Sequence, residues 1–159
     1  AEAGIDVKAT LEAVRGQVSE IRTYAILSDL RYAVRGGRLP RWVKSVADFL
    51  RLNPIICTTR QGKVSLCSFM LGKYNRIERF AKSVTRRAPK GPVEIGIGHA
   101  ICKDDALELE NHLRELIPDI RKLVVTGLGT GIGVHGGPRT LLVSIRPYFS
   151  AQDIARGAD

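Results

Sequence analysis

The chain has 159 residues, 25 Lys and Arg against 16 Asp and Glu, and a formal net charge of +9. With 44% hydrophobic and 26% charged residues it has the make-up of a globular domain and is too apolar for a disordered chain. This length predicts one domain, large enough to bury about two thirds of its unfolded surface. The longest uncharged run, Leu123 to Pro138, is shorter than the ~20 residues of a membrane-spanning helix and holds six glycines. The first residues, Ala-Glu-Ala-Gly-Ile-Asp, carry neither the positive start nor the apolar stretch of a signal peptide, so a cytoplasmic location is expected. They also lack an initiating Met and run almost directly into a helical pattern, which suggests a piece of a longer protein.

Asp6 to Ile21 reads as a helix, with Val7, Leu11, Val14, Val18 and Ile21 at three- and four-residue spacing and Asp6 as its cap. Arg22 to Leu27 is strand-like. Ser28 or Asp29 then caps a short helix ending at Gly36-Gly37. Pro40 opens another helix to about Arg51, with Trp42, Val43, Val46, Phe49 and Leu50 as its apolar stripe, and Asn53-Pro54 breaks it. Ile55 to Thr59 and Val64 to Met70 form a hairpin around Arg60-Gln61-Gly62-Lys63.

Lys73 to Arg87 is an amphipathic helix, with Ile77, Phe80, Ala81 and Val84 on one face and Arg76, Arg79, Lys82 and Arg86 on another. After Pro89, Gly91 and Pro92 come a strand from Val93 to Ile101 and a helix from Asp104 to Ile117, acidic in its first turn. A strand from Ile120 to Thr126, a glycine-rich loop from Gly127 to Gly137 and a strand from Thr140 to Arg146 complete the domain. Six strands and about five helices predict an α/β fold, a two-layer mixed sheet with helices packed on one face. Residues 1–149 make one domain and 150–159 a frayed polar tail.

The charge is concentrated. Residues 31–90 hold fifteen basic residues against Asp48 and Glu78, a local +13, while residues 92–159 sum to −2. Such a field attracts an acidic partner: nucleic acid, an anionic membrane surface, an acidic protein or a small anion. Against nucleic acid stand the few aromatic residues and the absence of a recognition-helix motif.

Cys57, Cys67 and Cys102 read as small buried hydrophobes of a reducing compartment, although Cys57 and Cys67 could meet across the hairpin as a disulfide. Without a Cys-x-x-Cys or a neighbouring His pair there is no zinc pattern, and no nucleophile–base pattern points to an enzyme.

Within the glycine-rich run, Gly131-x-Gly133-x-x-Gly136 matches the bare dinucleotide fingerprint, but Pro138 and a strand follow where a long helix should open. No Walker lysine follows either. What remains is a backbone free to approach a ligand around His135, or a set of glycine turns carrying a surface histidine. His99 reads as a hydrogen-bonded structural residue and His112 as solvent-exposed. Arg38, between Gly36-Gly37 and Pro40, offers a planar fork for a carboxylate or phosphate beside a helix start; the alternative is a Schellman cap with a solvated arginine.

Taken in order, Asp29-Leu30, Gly36-Gly37-Arg38-Leu39, Asn53-Pro54-Ile55-Ile56 with Gly62-Lys63, and Val134-His135-Gly136-Gly137-Pro138 resemble the C-terminal part of the DegV family over about residues 4–147. The family's pattern there is a Gly-Gly-Arg-Ile turn, a Pro-Ile strand with a Gly-Lys hairpin, and a late His-Thr-Gly-Pro-Gly loop. The resemblance implies the second of two domains, a mixed six-stranded α/β unit whose first domain is absent here. It implies a long-chain fatty acid as ligand, with no other cofactor and no metal, and a carrier role for a fatty acid kinase partner that performs the phosphoryl chemistry. The ligand carboxylate would be held by Arg38 and His135, in turns shaped by Gly36, Gly37, Gly136 and Gly137. Arg76, Arg79, Lys82 and Arg86 would form a basic face for docking the kinase or for transient contact with an anionic membrane. Three departures stand out: the missing first domain, Gly136 and Arg139 where the family has Thr and Gly, and Leu39-Pro40 in place of Ile and a polar residue. The loop changes predict a lost hydroxyl and a gained guanidinium near the head group. Phe49, Ile55, Phe69, Met70 and Ile97 are candidates for the path of the acyl chain, with core packing as the alternative for each.

Overall fold

The computed structural model describes residues 7–50, 52–59, 61–72 and 74–150. The cap expected at Asp6, the turn residue Arg60, the helix start at Lys73 and the tail from residue 151 lie outside them. In chain order the elements are α1 (Val7–Val18), β1 (Arg22–Ile26), α2 (Leu30–Arg35), α3 (Arg41–Phe49), β2 (Leu52–Thr58), β3 (Val64–Leu71), α4 (Arg76–Thr85), β4 (Val93–His99), α5 (Lys103–Leu116), β5 (Ile120–Gly127), α6 (Thr130–Gly136) and β6 (Leu141–Pro147).

The six strands form one mixed sheet in the order β3-β2-β1-β6-β4-β5. Only β4 and β5 run parallel, because α5 carries the chain back between them; the other neighbours pair antiparallel. Period-two alternation gives the sheet two unlike faces. Tyr24 and Ile26 of β1, Val93, Ile95 and Ile97 of β4, and Leu141, Val143 and Ile145 of β6 point to one side. There the apolar stripes of α4 (Ile77, Phe80, Ala81, Val84) and α5 (Ala106, Leu109, Leu113) seal them into the main core. This is the helix-covered layer that the sequence predicts.

The opposite face carries small and hydroxylated residues, and Thr23 and Ser144 share a hydrogen bond of 3.0 Å across it. A smaller apolar cluster of Leu27, Leu30, Ala33, Leu39 and Ala47, joined by Ile56, anchors α2 and α3 there. The stripe of α3 is only partly covered: Val43 and Ala47 are buried while Trp42 and Phe49 are exposed. Val7, Leu11, Val14 and Val18 of α1 are exposed as well.

Two sequence-based boundaries need correcting. Asn53-Pro54 does not separate helix from strand, because β2 already begins at Leu52. Pro54 pairs with Phe69 of β3, whereas the pairing of β2 with β1 extends only from Ile55 to Cys57, so its missing N–H costs no ladder bond on that side. The glycine-rich segment is not loop throughout, because Thr130–Gly136 closes two helical turns as α6. Its glycines are poor helix formers, and the turns are fixed by tertiary packing against α2.

Phe80 is fully buried between the two long helices and the sheet. Phe80→Ala should lower the unfolding free energy by about 3–5 kcal/mol in urea titrations.

Candidate functional site

A cavity of about 460 Å3 lies on the open face of the sheet. Its floor is Thr23 and Ala25 of β1 with Leu142 and Ser144 of β6, and Ile56 and Thr58 extend it along β2. Small side chains at these alternate positions leave the hollow. Arg38 and His135 both line it, one from the turn after α2 and the other from the last turn of α6.

The α2 turn is a Schellman motif. Asp29 caps the start of α2, accepting from the Arg31 N–H at 2.8 Å, and the Arg31 guanidinium beside it holds its carboxyl below the usual range. At the other end the Gly37 N–H donates to the Val34 carbonyl (3.1 Å) and the Arg38 N–H to the Ala33 carbonyl (2.9 Å). Gly37 takes φ +69, the left-handed conformation this motif requires. The Schellman cap turns exposed Arg38 toward the cavity. Its Nη1 donates to the Gly36 carbonyl at 2.8 Å, which fixes the fork.

Gly36 serves a second purpose. A Cβ there would lie 2.1 Å from Nδ1 of His135, so the imidazole packs directly on bare backbone. Gly137, at φ +76, lets the chain leave α6 against the Tyr32 ring, which a Cβ would meet at 2.4 Å. At Gly136 a Cβ would stand 2.7 Å from Thr140 Oγ1. Thr140 lines the same cavity, and its buried hydroxyl donates to the Gly137 carbonyl at 2.9 Å.

His135 Nδ1 is buried without a hydrogen-bond partner. With Nδ1 enclosed against Gly36, Nε2 is the ring nitrogen that remains accessible for a hydrogen bond. His135 is thus half-buried at the cavity rather than a bare surface histidine.

Several expectations are revised. Arg139 adds no guanidinium to the cavity; it adopts φ +59, the left-handed conformation suited to glycine, and pairs with Asp105 at 3.0 Å. Ile55, Met70 and Ile97 are core residues and Phe49 is 85% exposed, so the acyl-path candidates do not line this cavity. Among the described residues His99 makes no ring hydrogen bond: it continues the apolar face of β4, and its Nδ1 is buried without a partner. His112 is half-buried between Glu108 and Glu115 rather than free in solvent.

The four cations of the predicted docking face separate. Arg76 turns away from the others, half-buried, donating to Ser28 Oγ at 2.9 Å and facing Asp105 at 3.8 Å. Arg79, Lys82 and Arg86 stay together beside β3. Cys57 and Cys67 are free thiols on the core side of the hairpin, and burial together with a hydrogen bond to Cys67 pushes the Cys57 thiol up to about 11. Among the described residues no group of His, Cys, Asp or Glu could hold a metal ion, and no helix is long and apolar enough to cross a membrane.

A mixed six-stranded sheet, sealed by helices on one face and hollowed on the other beneath an Arg/His pair, defines a class of two-layer α/β domain. The chain belongs to the DegV family: the family model described as "Uncharacterised protein, DegV family" matches residues 1–147. The DegV domain-containing protein SCO2569 of Streptomyces coelicolor is 28% identical over 145 residues, 91% of this chain and 51% of that protein. Among solved structures, the fatty acid binding DegV family protein SAG1342 of Streptococcus agalactiae aligns with a TM-score of 0.77 at 24% identity, covering 93% of this chain and 52% of its own. The fatty acid kinase (Fak) B3 protein of Streptococcus pneumoniae, loaded with linoleic acid, aligns at 0.78 and 14% identity, covering 91% and 51%. The chain spans about half the length of these relatives.

Sequence reasoning singled out Arg38 and His135, which line this cavity, but not the cavity's floor. Alternation in RTYAIL and LLVSIR holds the signal, because Thr23, Ala25, Leu142 and Ser144 are the small or polar members of otherwise bulky strands.

Gly36→Ala should displace the His135 ring and cost roughly 1–3 kcal/mol by overpacking, read as a urea midpoint shift together with altered imidazole NMR resonances. Since its thiol stays protonated far above neutrality, Cys57 should resist iodoacetamide in the folded protein at pH 8 and label rapidly only near pH 11.

Proposed function

We propose that this domain supplies one wall of a long-chain fatty acid site, in a non-catalytic carrier that presents the acid to a partner kinase for phosphoryl transfer. The observation that carries the reading is the meeting of Arg38 and His135 on Gly36 at an apolar cavity of about 460 Å3. Each methylene taken from water into such a hollow contributes ~0.8 kcal/mol. The carboxylate at its end must find donors, because a buried unpaired charge is very costly. Arg38 brings charge and fork geometry, and His135 Nε2–H brings a directed donor.

Supporting this reading, solved relatives of the same fold include a fatty acid binding protein and a fatty acid kinase B3 protein loaded with linoleic acid. Those proteins are about twice as long as the stretch they share with this chain. We assign the opposite wall, and further polar contacts to the head group, to a companion domain. The exposed apolar residues on α1 and α3 suit such a neighbour.

Arg38→Ala and His135→Ala, each made in the full-length protein, should weaken oleate retention by roughly tenfold or more, the expectation for losing a charge-assisted hydrogen bond. Delipidated protein titrated with oleate provides the measurement. Unchanged affinity in both variants would overturn the assignment.

A further inference from the structure

A second cavity, about 250 Å3, lies on the other side of the sheet from the first, between α4 and the outer strand β3. Arg79, Lys82 and Arg86 recur along α4 at three- and four-residue intervals and project toward it together. Among the described residues no acidic side chain lines it. Glu78 compensates Lys82, with Nζ at 2.5 Å from its Oε1, whereas Arg79 and Arg86 have no acidic partner among the described residues. Arg86 also complements the negative end of the α4 dipole, which accounts for one cation but not for the cluster.

Two features go beyond a solvated basic helix. Arg79 donates one N–H to the Leu71 carbonyl, which fixes a half-buried guanidinium and leaves its other donors free. Ser83 is buried, 4% exposed, and lines the cavity while its Oγ accepts from Arg87 Nη1 at 2.7 Å. A hydroxyl that accepts in this way keeps its own proton to donate. Ser68 supplies a second hydroxyl from β3.

We propose that this cavity is an anion site for a phosphate group. It offers two uncompensated guanidinium groups, one of them fixed, and two hydroxyls, which together match a phosphate with several acceptor oxygens. A carboxylate would use only part of this donor set. The site is separate from the fatty acid cavity and does not depend on that reading. The shared chemistry is the phosphate itself, whether free, on a small metabolite, or in the head group of an anionic lipid.

The test uses the full-length protein, with Arg86→Gln and Ser83→Ala as variants and Lys122→Gln, on exposed β5, as control. Inorganic phosphate is titrated at constant ionic strength in chloride and followed by 31P NMR. In parallel, sedimentation with phosphatidylglycerol vesicles is compared with phosphatidylcholine vesicles. Saturable phosphate binding that weakens roughly tenfold in Arg86→Gln and Ser83→Ala, but not in Lys122→Gln, supports a soluble phosphate ligand. Binding seen only on phosphatidylglycerol, and lost in Arg86→Gln, supports a lipid head group. No binding in either arm, or equal affinity in all variants, overturns the proposal. Should Ser83→Ala fail to fold, Arg86→Gln at the exposed end of α4 decides the outcome. Oleate retention is read in the same samples and should stay unchanged, so the failure of either reading is seen by itself.

Discussion

The open face of the sheet depends on one close approach, that of the end of α2 to the end of α6. Neither helix is long enough to be stable alone. Each end is shaped by glycine, and the two interlock: His135 lies on Gly36, and the Tyr32 ring lies on Gly137. Side chains at either glycine would hold the helices apart. That contact orients the imidazole, and the hydrogen bond from Arg38 to the Gly36 carbonyl ties the guanidinium to the same residue. The rim of the cavity is therefore a single packed unit.

The network behind that rim explains why Arg76 left the group to which its spacing assigned it. Ser28 Oγ and the Arg76 guanidinium both donate to the Arg139 carbonyl, while Arg76 and Arg139 share Asp105. These contacts join the starts of α2, α4 and α5 to the turn before β6. A cation on a helix surface reads as solvated in a sequence, because its counter-ion here lies 29 residues away, a separation no local pattern records.

Periodicity made most of the fold legible. The strands of the sheet and the stripes of α4 and α5 lie close to where alternation and helical spacing put them, since each buries a continuous apolar face. Legibility failed where tertiary packing outweighed propensity. Gly131 and Gly133 argue against helix, yet α6 forms against α2; Pro54 argues against strand, yet it lies beyond the stretch of β2 that pairs with β1. In the site, the residues with distinctive chemistry were visible and the floor was not. A cavity is made by what is small, and Ala25 or Ser144 means little until the hollow above the sheet is seen.

The strand order has a consequence for how the chain acquires its shape. β1, β2 and β3 are neighbours formed from residues 22–71, and β4 with β5 is a second local unit from residues 93–127. Only β6 touches both, pairing Tyr24 with Val143 on one side and Ile97 with Val143 on the other. The two halves can thus collapse separately, but the sheet closes only when residues 141–147 arrive. Emerging from the ribosome, the chain must carry two incomplete half-sheets with bare inner edges until β6 is made, the stage at which such a topology is slowest and most exposed to misassociation.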